Sequence, residues 1–486
     1  NQLHDKLQTM PHLYQERMDE LSRADNSMTV ATEPQFNYLP IQIGLERPLR
    51  VLILDNFVGN MGDAAIALAM QQSFKETFGA ETQVHFCFCG VGSDPGIFAQ
   101  LYPEIHFVST LWNAIGDWIT AQRNPWLRLL RKTSAQRFVR QAKLHSRGLP
   151  GQLLFGPERA LFAEYVHADL IVITGGAPLC TSWTIPRLRR PRAAQYAAAL
   201  TLGKPLVFYA QSVGPFTSED TLPDLLRDPM QRADAVLCRD AESVRTVREK
   251  VGVETDNVHL TIDEVLLMSP CVPDIPLLPP QQRPLRIGIC VHKWHWLGHT
   301  DPEAKQREFE ARMVAVSRQL LERGDVELVY VTTHQKFDGA IVSDEDVSER
   351  IQQQLPAELL PLTHRIRGFV HPQIFAHVIG ECDLVITSRL HGGILSLVGG
   401  APIVALSYEP KTLGLMEQIG LTDWTLSMWD SSAEEIYAQA KKMLDDLPGV
   451  EEKLRVAMAE ARRLALQNRT IVAKVMSARL QRSTLK

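Results

Sequence analysis

The sequence predicts an α/β protein built as two doubly wound lobes facing a central cleft. Three observations predict this. Continuous Val/Ile/Leu runs of strand length recur along the chain, separated by stretches of helical spacing, as in parallel sheets covered on both faces. The runs fall into two groups, split at 269–284 by SPCVPDIPLLPPQQRP, whose six prolines in sixteen residues suit neither a helix nor a central strand. The chain has 486 residues, ample for two hydrophobic cores.

The expected division is an N-terminal extension at 1–45, a first α/β lobe at 46–268 with a basic helical insert at about 112–150, an extended linker at 269–284, a second lobe at 285–430 and a helical tail at 431–486. Strands are expected at 50–55, 83–88, 169–174, 205–211 and 234–238 in the first lobe. In the second they are expected at 285–291, 326–332, 383–387 and 402–408. The tail carries good helix formers with repeated apolar spacing and is long enough to fold back across the lobes.

Composition is 45% hydrophobic and 22% charged, with a formal net charge of −5, so bulk charge offers no attraction to nucleic acid. No apolar run reaches the roughly 18 residues of a membrane span, and the start of the chain lacks a secretory apolar core. Seven cysteines at 87, 89, 180, 238, 271, 290 and 382, mostly in or beside strands, read as reduced core thiols of a cytoplasmic protein. The expected place is the cytoplasm, with the inner face of the cytoplasmic membrane as the alternative.

The candidate site residues sit where strands end. The first strand runs into NFVGNMGD at 56–63 and then an Ala-rich helix, placing Asn60, Gly62 and Asp63 at a helix start that attracts anions. The G-x-x-G spacing is neither the dinucleotide fingerprint nor a P-loop, and Asp63 either caps the helix or serves a substrate. Gly175 and Gly176 end the third strand as a tight turn or as a point of close ligand approach. Gln211 and Ser212 end the next, before Gly214-Pro215, and either bind sugar hydroxyls or belong to turn chemistry. Arg239 follows another strand and binds an anion or is neutralised by Asp240; Asp263 is similarly placed.

In the second lobe the first strand runs into HKWHWLGH at 292–299. No Cys, Asp or Glu interleaves its histidines, so a metal site is not expected. His292 and His295 either offer faces to a sugar ring together with the tryptophans or pack as an ordinary loop. His334 ends the next strand. The most telling run is TSRLHGG at 387–393, directly after a buried-type strand. Arg389 supplies a planar fork for phosphate or carboxylate, and His391 a proton near neutral pH. Lys411, in YEPK at 408–411, lies one helix and one strand further on as a second cation.

Two basic stretches stand apart. The segment 123–147 holds eight Lys/Arg and no Asp or Glu, with Trp112, Trp118 and Trp126 nearby, and reads as a solvated helix or as a peripheral contact with an anionic membrane. RLRRPR at 187–192 reads as surface or as a pyrophosphate site for a carrier-linked substrate.

In order along the chain, GNMGDAAI, TGGAPL, QSVGPF, LCRDAES, THQ…DEDVSERI, TSRLHGG and PIVALSYEPK resemble the polysaccharide pyruvyl transferase family over about 49–424. The resemblance implies two Rossmann-like lobes similar to the glycosyltransferase-B fold. It implies transfer of the pyruvyl unit of phosphoenolpyruvate to two hydroxyls of a saccharide, as a ketal. It places Arg239, Arg389, Leu390 and His391 at donor-binding positions. Two positions depart from the family pattern: Ala177 follows Gly175-Gly176, and Glu264 follows Asp263 where proline is usual. For this chemistry Arg239, Arg389 and Lys411 are the expected cations, His391 the acid or a donor to the departing phosphate, Asp63 the base and His334 the alternative base. No metal or other cofactor is expected beyond the donor, and the acceptor is expected on a nucleotide or lipid carrier. A nucleotide-sugar glycosyltransferase and a non-catalytic carbohydrate-associated protein are the alternatives.

Overall fold

A computed structural model of the chain describes residues 47–88, 95–109, 125–180, 186–217, 219–293, 301–334, 344–408 and 410–484. The N-terminal extension, Cys89, Trp112, Trp118 and His295 lie outside them.

Each expected strand forms. The first lobe holds β1 (Arg50–Asn56), β2 (Gln83–Phe88), β3 (His106–Ser109), β4 (Leu170–Ile173), β5 (Gly176–Leu179), β6 (Leu206–Val213), β7 (Ala235–Cys238) and β8 (Val258–Leu260). They pair in the order β3-β2-β1-β4-β6-β7-β8, with β5 beside β6, and every pairing is parallel. The second lobe holds β9 (Leu285–Cys290), β10 (Val326–Val331), β11 (Thr363–Arg365), β12 (Leu384–Thr387), β13 (Ile403–Ser407) and β14 (Thr425–Ser427). Their order is β11-β10-β9-β12-β13-β14, again all parallel.

The continuous apolar runs have the cause the pattern implied. Along β1, Val51 and Ile53 pack into one core while Leu52 and Leu54 pack into another on the opposite face. The first of these cores continues through Ile262 and Val265 into the second lobe, where it takes in Ile287, Val385 and Ile394. The lobes are therefore joined by packing as well as by the linker.

The C-terminal helix Leu447–Thr484 is 38 residues long and reaches back to the first lobe. Its Arg479 makes a two-pronged pair with Asp234 at 2.8 and 2.9 Å. Asn468 Nδ2 donates to Ile262 O at 3.0 Å and to Glu264 Oε2 at 2.9 Å. Arg469 Nε donates to Ser73 Oγ at 3.0 Å and lies 3.3 Å from Glu264 Oε1. The Glu264 departure is thus absorbed by a buried network from the tail. Asn468 begins an N-x-T triplet, but its side chain is buried in that network.

The basic helix Pro125–Ser146 belongs to the first lobe's outer layer. Phe138 and Ala142 are fully buried in the second core, and Arg137 pairs with Glu158 at 2.5 Å, while Arg140 and Lys143 face solvent. Over its described side chains, the apolar face of this helix is turned to protein. Among the described residues no helix is long and apolar enough to cross a membrane.

Candidate active site

In open α/β sheets, ligands sit at the carboxyl ends of strands where the strand order reverses. The first sheet reverses between β1 and β4, the second between β9 and β12. β1 delivers Asp55 and Asn56 to its carboxyl edge, β4 leads to Thr174, Gly175 and Gly176, and β12 leads to Arg389. These edges face one another across a cavity of about 390 Å³. Asn60, Gly62, Asp63, Arg239, His334, Leu390, His391 and Lys411 also line it.

Two helix N-termini meet in this cleft. The helix Met61–Phe78 begins behind Asn60, whose Oδ1 accepts from Asp63 N at 2.9 Å and whose Nδ2 donates to the Asp63 carboxylate. Asn60 is therefore the cap, and Asp63 lies in the first turn with its carboxylate in the cleft. The helix Leu390–Gly399 begins behind Arg389, so Leu390 and His391 lie in its first turn, where backbone N–H groups lack intrahelical partners. The two starts touch. A methyl group at Gly62 would fall 2.5 Å from His391 Nδ1, and beside this contact Met61 N donates to Thr333 O, past the end of β10, at 2.9 Å. Only glycine allows this approach. The glycines of TSRLHGG lie inside the helix, and a methyl at Gly392 would meet Cys290 Sγ at 2.6 Å. They bring the helix down onto its sheet.

The arginines are held by carboxylates. Arg389 grips Asp344 with Nε at 2.9 Å and Nη2 at 2.8 Å, and Asp344 also accepts from Lys293 N at 2.9 Å. Arg239 donates from Nη1 to Asp263 Oδ2 at 2.6 Å and from Nε to Ser212 Oγ at 2.7 Å. Arg192, from the RLRRPR stretch, lines the cleft with Nε 3.2 Å from Asp55 Oδ1, while Arg189 pairs with Asp220 at 2.5 Å. Lys411 Nζ stands 5.8 Å from the centre of the Tyr408 ring.

The carboxylates differ in their titration. Burial raises the Asp63 carboxyl above its ordinary value; nearby His391, the Asn60 hydrogen bond, Arg239 and Lys411 oppose the rise without cancelling it. Burial acts on Asp263 in the same direction, but the close approach of His391 and the charge of Arg239 outweigh it and hold Asp263 well below the usual carboxylate range. His391 Nε2 lies 3.5 Å from Asp263 Oδ2. Asp263 is thus a fixed anion between a cation of one lobe and an imidazole of the other, while Asp63 is suited to exchanging a proton.

Three sequence expectations are corrected by burial. Gln211 is fully buried and gives its amide to the Ile173, Thr174 and Tyr209 carbonyls. Ser212 is bound between Arg239 and Asp240, at 3.0 Å from Asp240 Oδ2. Neither lines the cleft; they fix the β6 edge and aim Arg239. His292 is 2% exposed, with Nδ1 2.7 Å from Ser388 Oγ and its ring 4.7 Å from that of Tyr408, so it supports the wall instead of facing a sugar. Asp344, Asp55 and Asn56 were given no role from the sequence, whereas Arg192 belonged to the RLRRPR stretch read as surface or a pyrophosphate site, and it lines the cleft. The acidic run at 344–346 was visible, but the fold alone shows which carboxylate meets Arg389. Among the described residues no group of His, Cys, Asp and Glu side chains could hold a metal ion.

Fold and cleft define a two-lobed α/β protein of the glycosyltransferase-B type. Residues 60–410 match the polysaccharide pyruvyl transferase family, and the chain belongs to it. It is 26% identical over 276 residues to the amylovoran biosynthesis protein AmsJ of Erwinia amylovora, a match covering 54% of this chain and 64% of that relative. Among solved structures, a UDP-N-acetylglucosamine 2-epimerase superposes with a TM-score of 0.50 at 13% identity, over 86% of this chain and 94% of that one. The Neisseria meningitidis UDP-GlcNAc 2-epimerase bound to UDP-GlcNAc gives 0.49 at 10% identity, over 88% and 99%. The epimerase likeness concerns the fold alone.

Proposed function

We propose that this protein transfers the pyruvyl unit of phosphoenolpyruvate to two hydroxyls of a saccharide in cell-surface or exopolysaccharide biosynthesis. The observation that carries the reading is the meeting of Arg239, Arg389 and Lys411 with Asp63 and His391 in one cleft of a family member. The donor has a phosphate and a carboxylate, which matches several cations and the first turn of the helix at Leu390. Asp63 takes the proton from the first attacking hydroxyl as its oxygen bonds to C2. The methylene carbon gains a proton and becomes a methyl group. The bond from C2 to the phosphate oxygen then breaks, and the second hydroxyl closes the ketal ring. Two hydroxyl protons are lost; one ends on the methyl carbon and one on phosphate, so the equation balances without an oxidant. His391 is the acid, and Asp263 holds its ring. His334, also in the cleft, is the alternative base. The acceptor is read as nucleotide- or lipid-linked.

Incubation with phosphoenolpyruvate and nucleotide- or lipid-linked glycans should release phosphate in step with the mass gain of a pyruvate ketal. His391→Ala should abolish both. Absence of phosphoenolpyruvate binding, or full turnover by His391→Ala, would remove the reading.

A further inference from the structure

The donor groups cluster where β12 and the helix at Leu390 meet Arg239, and they leave the β1 corner of the cleft without a role. That corner has its own chemistry. Asn56 is 1% exposed; its Nδ2 reaches Thr174 Oγ1 at 3.4 Å, while its Oδ1 has no hydrogen-bond partner among the described residues. A buried amide oxygen without a donor is costly, and a ligand hydroxyl would relieve it. Asp55, beside it, has φ 60°, a left-handed conformation uncommon for a non-glycine residue. Its carboxylate accepts from Tyr196 and pairs with Arg192. Phe57 follows at 37% exposure, its ring 6.5 Å from that of Phe88, and all of these except Tyr196 and Phe88 line the cleft. An exposed aromatic face beside a buried unpaired acceptor matches a pyranose ring, which offers an apolar C–H face and hydroxyl donors around its edge.

We propose that Asn56 and Phe57, backed by Asp55 and Arg192, form the acceptor-sugar subsite: Phe57 takes the ring's apolar face and Asn56 Oδ1 accepts a hydroxyl proton. This deepens the pyruvyl-transfer reading and rests on it for the word acceptor. The hydroxyl-bearing substrate enters along the first lobe, and the anionic donor lies toward the second.

The test uses saturation-transfer NMR with a panel of methyl hexopyranosides as probes, alongside calorimetric titration of phosphoenolpyruvate. The wild type should transfer saturation to the ring protons of at least one glycoside. Phe57→Ala should weaken that glycoside about tenfold, and Asn56→Ala about fivefold. Phe57→Tyr, which keeps the aromatic face, should bind as the wild type does. Affinity for phosphoenolpyruvate should change by less than about twofold in all three, because none contacts the donor cations. Glycoside binding unchanged in Phe57→Ala, no glycoside binding by the wild type, or donor affinity falling in step with glycoside affinity would each overturn the subsite. Phe57 is at the surface, so its variants decide the matter even where Asn56→Ala folds poorly. If the wild type binds a glycoside through Phe57 but never phosphoenolpyruvate, the pyruvyl reading fails and the sugar subsite stands.

Discussion

Arg389 and Arg239 face one cleft from opposite lobes, and they are held in different ways. Asp344 clamps Arg389 through two bonds and takes a third from Lys293, all within the second lobe. That fork keeps its aim whatever the first lobe does. Arg239 shares Asp263 with His391, and His391 comes from the other lobe. One cation is preassembled; the other is tied through a single carboxylate to His391 across the gap. On the proposed reading, the Arg389 part of the donor site is preassembled in the second lobe, whereas the coupling of Arg239 to His391 depends on how the lobes meet.

The largest test breaks the private clamp. Asp344→Asn should destabilise the protein by about 3 kcal/mol, the low end for breaking a buried pair, as read by urea unfolding, and should raise the KM for phosphoenolpyruvate. The shared carboxylate is tested by double-mutant cycles on kcat/KM. Asp263→Asn and His391→Ala should couple by about 1–3 kcal/mol, while Asp344→Asn and His391→Ala should combine within about 0.5 kcal/mol. Equal coupling in both cycles would erase the distinction between the two arginines.

The titration of the carboxylates sharpens it further. Asp63 must be ionised to act as base and its carboxyl is raised, so kcat/KM should fall on acidification at a pH above the ordinary carboxylate range. Asp63→Asn should remove that limb and lower kcat about 10²–10⁴-fold. Asp263 has the opposite sign. Its depressed carboxyl contributes stability that is present above the unfolded-state value and is lost only as pH falls toward the lower folded-state value. Acid unfolding should therefore be less steep in Asp263→Asn than in the wild type. The smallest effect belongs to a contact that joins the lobes at the rim, His371 Nε2 with Glu104 Oε1 at 2.9 Å. Glu104 is partly exposed, so His371→Ala should cost under about 1 kcal/mol in urea unfolding and leave kcat unchanged.

Much of this architecture was legible before the structure. Long apolar runs such as those of β1, β9 and β12 announce themselves because they are buried on both faces. The strands that went unread are short: β8, β11 and β14, of three residues each, sit at sheet edges, and β3 and β5 have four. Gly176–Leu179 reads as a turn because its Gly and Pro oppose a strand, yet it pairs with β6. At the site, Arg389, His391, Asp63 and Arg239 could be found because strand ends predict where ligands lie. Gln211, Ser212 and His292 sit at similar strand ends, but their side chains turn inward to backbone carbonyls and neighbours, and sequence position does not encode that turn. Asp344 was hidden for the converse reason: its partner is 45 residues away and only the fold joins them.

The central claim is that the cation set of this cleft binds phosphoenolpyruvate, and calorimetric titration of that compound tests it most directly. Binding by the wild type, loss in Arg389→Ala and retention in Phe57→Ala are the predicted results. No binding by the wild type, or equal affinity in Arg389→Ala, would contradict the account.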